Sequence, residues 1–385
     1  MRVALLALAV ALLAGGCGDD GESGGLAPEE ARTTRVEVIE RTGANVGFDP
    51  ETIYAREAPG VVTVFAVFGG GGVLRQGDGQ QGVGSGFLLN ADGEVATNAH
   101  VVTQGEGGDI RRAEQVFVQF ADRNQVEAKI VGFDPNSDVA LLRIEPAGLT
   151  LRPLPLGRSR DVVVGEPVAA IGSPYGEPQS LSVGVVSARD RSIQSLTGFV
   201  IPGALQTDAA INRGNSGGPL VDARGDVLGI NSQIRSTGGG GEGVGYAVPV
   251  DIVRRVTGEL RKDGRVDYAY LGVETAPLYP QLARRFDLPV TAGAWVQEVS
   301  GDGPAADAGV SGGGGGEQRF QAQAYRVGGD VITRLDDLPL REPDDLSERL
   351  TRYQPGQRVR LELFRGDERR EIEVRLGKRP ASSSP

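Results

Sequence analysis

The chain has 385 residues, a length that suits two or three domains. Apolar residues make up 39% and charged residues 24%, ordinary values for a folded protein with a sizeable core. With 40 basic against 51 acidic residues the formal charge is −11, which argues against nucleic acid as a partner, because phosphate binding needs a basic field. One Cys (Cys17) and one His (His100) exclude an internal disulfide and a Cys/His zinc site. No metal or cofactor is expected, and any histidine chemistry falls to His100.

The first segment reads as an export signal rather than as part of the fold. Arg2 supplies a positive start and Val3 to Ala14 an apolar stretch too short to span a bilayer of about 30 Å as a helix. It ends Leu13-Ala14-Gly15-Gly16-Cys17, which resembles the lipobox of bacterial lipoproteins, with Cys17 as the acylated residue. Leu13 stands one residue further from the Cys than that pattern has it, and a plain secretory signal is the alternative. Residues 18–50 are polar, acidic and glycine-rich, a flexible tether.

From Val61 the pattern turns to β. Val61–Phe68 is a run of β-branched and aromatic residues, and Val116 to Phe120 alternates. Asp122-Arg123-Asn124 reads as a hairpin turn into Val126–Phe133. Asp138–Ile144, Val168–Ile171, Leu181–Ser187 and Val227–Ile234 follow as strands. Short strands with Gly/Pro/Asp punctuation predict an all-β barrel or sandwich. Three glycine-rich stretches, Gly69–Gly86, Gly238–Gly245 and Gly312–Gly316, read as loops. A helix is predicted from 251 to Asp263-Gly264, with Ile252, Val253, Val256 and Leu260 on one face. A second unit follows, with strands Ala294–Val299, Arg358–Phe364 and Arg370–Leu376 and a helix over Pro343–Arg352. The expected organisation is 1–17 signal, 18–50 tether, 51–256 first domain, 257–266 helical linker, 267–378 second domain and 379–385 disordered tail.

Three short segments carry candidate chemistry. Gly214-Asn215-Ser216-Gly217-Gly218-Pro219 places a serine among glycines that let backbone N–H groups turn inward around it; alone, the same residues also describe a tight turn. Thr97-Asn98-Ala99-His100-Val101-Val102 puts the chain's one histidine after a strand, as a general base or as a satisfied core histidine. Asn136-Ser137-Asp138-Val139 opens an apolar strand with an Asp, either a turn cap or a buried carboxylate suited to an imidazole partner. Together the order is His, Asp, Ser, that of a chymotrypsin-like barrel. The nucleophile elbow of α/β-hydrolases needs a histidine after the serine, and none follows Ser216. A dinucleotide loop at Gly82-x-Gly84-x-Gly86 fails because strand-like Phe87-Leu88-Leu89 follows it.

With these segments, and with Gln206 to Asn212 and Gly243 to Val250, residues 55–377 resemble the HtrA/Deg envelope proteases. Tyr270-Leu271-Gly272-Val273, Gly303 to Val310 and Gly329-Asp330-Val331-Ile332 are similar to that family's PDZ domains. The resemblance implies a mainly β fold, a chymotrypsin-like double β-barrel at 51–256 followed by a small α/β PDZ domain at 267–378. It implies a serine endopeptidase of unfolded or damaged proteins with His100, Asp138 and Ser216 as the triad, Gly214 and Ser216 N–H groups as the oxyanion hole, and Tyr270–Val273 as the loop binding peptide C-termini. The alternative is an idle peptide-binding or chaperone-like scaffold. Ala210, six residues before the serine, stands where trypsin-type pockets carry an acid, so small or medium apolar P1 residues are expected. Asn215 lacks the carboxylate that many secreted relatives pair with a freed N-terminus. Arg213 replaces the family's usual Pro, and Ser311–Val327 reads as an insertion between PDZ motifs. A homotrimer, lipid-anchored at the outer face of a membrane, completes the expectation.

Overall fold

The β-branched run Val61–Phe68 (β1) is buried along most of its length and pairs with a neighbouring strand on each edge. In the computed structural model, residues 47–69, 80–173, 179–212, 214–232, 244–342 and 344–382 are described. The signal segment, Cys17 and nearly all of the tether lie outside them, as does Arg213. Five further strands follow β1: Gln80–Leu88 (β2), Glu94–Thr97 (β3), Gln115–Gln119 (β4), Gln125–Asp134 (β5) and Val139–Ile144 (β6). They close a barrel in the order β1-β2-β3-β6-β5-β4. A second barrel uses Pro167–Gly172 (β7), Ser180–Gln194 (β8), Val200–Thr207 (β9), Pro219–Val221 (β10), Val227–Ser232 (β11) and Gly245–Pro249 (β12), ordered β8-β9-β12-β11-β10-β7. Closure leaves neither barrel an open edge along its ladder.

The sequence predicts one loop over Gly69–Gly86, yet Gln80–Leu88 is a strand. Its glycines answer to packing rather than to mobility. A Cβ on Gly86 would lie 2.9 Å from the Ala96 carbonyl, and one on Gly82 would lie 3.1 Å from the Phe68 ring. Gly245 likewise opens β12, where a Cβ would come within 2.4 Å of Ile211.

Three helices pack on the barrels. Pro50–Glu57 (α1) starts where the Asp49 carboxylate accepts the N–H groups of Glu51 and Thr52, an N-cap followed by Pro in the first turn. Its Ile53 is buried. Ala99–Val102 (α2) is a single turn after β3. Val250–Asp263 (α3) has the apolar stripe that the sequence predicts and stops at Gly264, whose φ of 68° closes the helix in the left-handed region. Val250, Val253, Val256 and Leu260 enter a cluster that contains Phe87 and Leu141 of one barrel and Ile171, Val221 and Ile230 of the other. This helix therefore packs on both barrels at once. Arg261 adds a 2.6 Å ion pair to the buried Glu94 of β3, which also holds Arg143 and is thereby kept below the usual carboxylate range.

The C-terminal unit is a sheet of Val273–Pro277 (β13), Ala294–Val299 (β14), Val331–Leu335 (β15), Leu338–Pro339 (β16), Arg358–Arg365 (β17) and Glu368–Arg375 (β18). Its order is β13-β14-β15-β17-β18, with β16 beside β15, over a core of its own. The expected helix over Pro343–Arg352 is shorter, Asp345–Leu350, and Pro343 lies outside the described residues. Inside Ser311–Val327, Glu317–Phe320 and Gln323–Arg326 form a hairpin. Tyr325 of that hairpin stacks on the buried Trp295 with ring centroids 5.8 Å apart, and Phe286 completes the cluster. Arg379 is held, its N–H donating to the Tyr268 carbonyl at 2.9 Å and its guanidinium lying over the Phe199 and Tyr268 rings.

Candidate active site

His100 is carried by α2, at the point where β3 ends. Asn98, which precedes that turn, donates its side-chain N–H to the Asp138 carbonyl at 2.8 Å and so ties the end of β3 to the start of β6. Asp138 is wholly buried and has a φ of 56°, a left-handed conformation uncommon for a residue with a side chain. The turn before it is fixed by Asp134, whose carboxylate accepts the Asn136 N–H at 3.1 Å and the Ser137 hydroxyl at 2.5 Å. That conformation aims the Asp138 carboxylate at the histidine. Its Oδ2 lies 2.8 Å from His100 Nδ1, and its Oδ1 accepts the His100 backbone N–H at 3.0 Å. Ser232, the last residue of β11 in the other barrel, donates its hydroxyl to Oδ2 at 3.0 Å.

Two opposing effects act on the imidazole. Burial disfavours its charged form; the Asp138 charge and hydrogen bond favour it and prevail, so His100 titrates above its ordinary value of 6.5. With Nδ1–H directed at the carboxylate, neutral His100 presents a lone pair at Nε2, the atom a general base needs.

Ser216 lies in the turn between β9 and β10, and glycines flank it for steric reasons. Gly217 has a φ of 90°, and a Cβ there would come within 2.0 Å of the Ser85 carbonyl; one on Gly218 would come within 2.2 Å of the Ile171 carbonyl. Gly217 N–H donates to Asn231 at 2.9 Å, and the Ser216 carbonyl accepts the Ser85 N–H at 2.8 Å. A Cβ on Gly84 would sit 2.6 Å from Val101, the neighbour of His100, and 3.0 Å from the Ser216 carbonyl. The histidine turn and the serine turn thus meet across the same point of β2. Gly214, with a φ of 104°, lies in that serine turn.

Ala210 is exposed, and its carbonyl accepts the Ser182 hydroxyl at 2.9 Å and the Asn215 side-chain N–H at 3.3 Å. In the C-terminal unit, Gly272 takes a φ of 81°, and the carbonyls of Leu271 and Gly272 accept the N–H groups of Ala305 and Ser300 at 2.9 Å each. Leu271 is buried, while Tyr270 and Val273 line an open groove of about 1610 Å³ together with Ser300, Pro304 and Ser347. β13, at the sheet edge, runs along this groove.

Comparison with known families matches residues 84–230 to the trypsin-like peptidase domain and residues 269–376 to the PDZ domain. A curated relative, the probable periplasmic serine endoprotease DegP-like of Ectopseudomonas mendocina (strain ymp), is 40% identical over 301 residues, 78% of this chain and 57% of its own. The chloroplastic protease Do-like 1 of Arabidopsis thaliana is 38% identical over 304 residues, covering 79% and 65%. The chain therefore spans about 57% to 65% of the length of these curated relatives. Among solved structures, the HtrA-type protease AlgW with tripeptide has 32% identity and a TM-score of 0.69, covering 86% of this chain and 98% of that one. The chain belongs to the HtrA/DegP family of serine proteases. It has the family's trypsin-like peptidase domain and one PDZ domain, and its two closed six-stranded barrels are the expected double-barrel fold.

Three residues of the site carry roles that the sequence alone does not reveal. Ser232 lies inside the predicted strand Val227–Ile234, and nothing local marks its hydroxyl as a partner of Asp138. Asn98 stands inside the histidine segment, but its bond to the Asp138 carbonyl depends on register between β3 and β6. Ser85 was hidden in a stretch read as a loop; the alternation of its glycines is the signal that could have exposed it.

Proposed function

We propose that this chain is a serine endopeptidase that cleaves unfolded polypeptides outside the cytoplasm. The observation that carries the reading is the wholly buried Asp138 carboxylate, bonded to the chain's one imidazole and to a hydroxyl of the second barrel, beside the glycine-bounded Ser216 turn. In this reading His100 Nε2 takes the proton from Ser216 Oγ as that oxygen attacks a peptide carbonyl. The N–H groups of Gly214 and Ser216 hold the oxyanion. His100 then gives its proton to the leaving amine; water enters by the same route in reverse and releases the acyl group. Asp138 holds the imidazole through Nδ1 and stabilises the imidazolium. Without an acid at Ala210, the pocket beneath P1 favours small or medium apolar side chains.

The remaining elements follow from sequence and resemblance. Peptide C-termini add as a strand beside β13, with Tyr270–Val273 receiving the carboxylate. The protease domain spans 51–256 and the PDZ domain 267–378, the chain is exported, Cys17 is acylated, and the protease domains form a homotrimer. The names of the DegP-like relatives, which read periplasmic serine endoprotease, support the exported location. Digestion of unfolded casein by the purified chain and by Ser216→Ala tests the proposal. Cleavage by the former and none by a folded Ser216→Ala protein is expected, whereas equal cleavage by both overturns the triad assignment.

A further inference from the structure

Gly84-Ser85-Gly86, the last part of the Gly82-x-Gly84-x-Gly86 pattern, lies on β2 against the serine turn, and its central residue is wholly buried. Ser85 makes four polar contacts there. Its hydroxyl donates to the Gly214 carbonyl at 2.5 Å and accepts the Ser173 N–H at 2.8 Å. Its backbone N–H donates to the Ser216 carbonyl at 2.8 Å, and its carbonyl accepts the Thr97 hydroxyl at 2.6 Å. Thr97 is the last residue of β3, three positions before His100, and Ser173 and Gly214 belong to the second barrel's segments.

Peptide planes turn as units, so holding a carbonyl fixes the N–H on the other side of its bond. Ser85 holds the Gly214 and Ser216 carbonyls, hence the planes on either side of the Asn215–Ser216 plane. That middle plane carries the Ser216 N–H, and its own carbonyl accepts the Gly218 N–H at 3.0 Å. The Gly214 hold also limits rotation at a glycine whose φ of 104° leaves the backbone otherwise free to turn. Glycine at 84 and 86 is what permits this approach: a Cβ at either position would lie 3.0 Å from the Ser216 carbonyl or 2.9 Å from the Ala96 carbonyl.

We propose that Ser85 is a positioning residue for the oxyanion-binding turn, acting from the first barrel on the Gly214 to Ser216 backbone of the second. Its kinetic consequence rests on the hydrolase reading above; its conformational consequence does not. Ser85→Ala removes the hydroxyl and frees the Gly214 carbonyl while leaving both backbone contacts. Because the hydroxyl acts on donors that bind charge in the transition state, the loss falls on kcat rather than KM. Losing one oxyanion donor outright costs roughly 10²- to 10³-fold, so loosening the turn is expected to lower kcat about ten- to a hundred-fold.

The test compares the wild-type chain with Ser85→Ala, Ser85→Cys and Thr63→Val. Ser85→Cys keeps a weak donor of similar shape. Thr63→Val deletes a neighbouring bond between the barrels, Thr63 Oγ1 to Ser173 Oγ at 2.6 Å, without touching the turn. Kinetics on a short apolar peptide are read beside thermal unfolding and amide hydrogen exchange of residues 214–218. The expected result is a fall in kcat with KM within about two-fold for Ser85→Ala, a smaller fall for Ser85→Cys and wild-type kcat for Thr63→Val. Exchange at 214–218 should quicken only in the Ser85 variants. Unchanged kcat and exchange in Ser85→Ala, or losses in all three variants that simply follow their melting temperatures, overturn the proposal. If Ser85→Ala fails to fold, Ser85→Cys carries the same comparison. A wild-type chain without peptidase activity would defeat the hydrolase reading, while the exchange data would still decide whether Ser85 holds the turn.

Discussion

Replacing Asp138 by Asn keeps the shape of the side chain and changes what its atoms can do. The carboxylate now accepts from three groups: the His100 backbone N–H at 3.0 Å, His100 Nδ1 at 2.8 Å and the Ser232 hydroxyl at 3.0 Å. If the amide oxygen stays on the backbone N–H, the amide nitrogen takes the Oδ2 position, facing Nδ1 and the Ser232 oxygen. An amide nitrogen cannot accept, so Nδ1 must offer its lone pair and the ring proton moves to Nε2, the atom that should receive the serine proton. Acid-to-amide exchange in triads of this kind lowers kcat about 10⁴-fold, equivalent to about 5.4 kcal/mol at 1.36 kcal/mol per decade. The fold should persist, since the volume is unchanged and the Ser232 hydroxyl can rotate to accept from the amide. Hydrolysis of a quenched fluorescent peptide, read beside a circular-dichroism melt, measures both. A folded Asp138→Asn protein that keeps more than about a tenth of wild-type kcat/KM would refute the assignment of Asp138 as the group that sets the His100 tautomer.

Two further outcomes are expected. His100 is the chain's one histidine, so its imidazole gives a single NMR titration, with a midpoint above 6.5 in the wild type and below 6.5 in Asp138→Asn, where burial acts unopposed. Because only the neutral ring accepts a proton, wild-type kcat/KM should be lost as pH falls through that same midpoint, and an activity limb well away from the NMR midpoint would count against His100 as the base. Gly217→Ala brings a Cβ within 2.0 Å of the Ser85 carbonyl oxygen and forces a φ of 90° on an L-residue. The left-handed backbone alone costs about 1–2 kcal/mol, so a lower melting temperature and at least a ten-fold fall in kcat are expected; a melt and kcat matching wild type would show that the turn can relax without consequence.

The fold was legible where one local rule decided it. Val61–Phe68 could only be a covered strand, and the stripe Val253, Val256 and Leu260 could only be a helix face, with Gly264 as its stop. The histidine, aspartate and serine segments were legible through their order along the chain, which excluded a hydrolase elbow before any geometry was known. What escaped was set by contacts distant in sequence. Glycine in Gln80–Leu88 suggests a loop by its own preferences, but Val101, Ser216 and Ala96 press on it from three other segments and select a strand. Ser232 meets Asp138 across 94 positions of chain, through register in two barrels at once, and no local pattern encodes that. The sequence shows Ser311–Val327 only as extra length, since the purpose of its hairpin, covering Trp295 with Tyr325, appears only when the aromatic partners are side by side.

The most direct measurement is intact-mass and peptide mapping after exposure to a fluorophosphonate. The account predicts one adduct per chain, on Ser216, absent from Ser216→Ala and strongly slowed in His100→Ala, with Ser85 and Ser232 unlabelled. A wild-type chain that is folded yet unlabelled, or an adduct on any other hydroxyl, would contradict it.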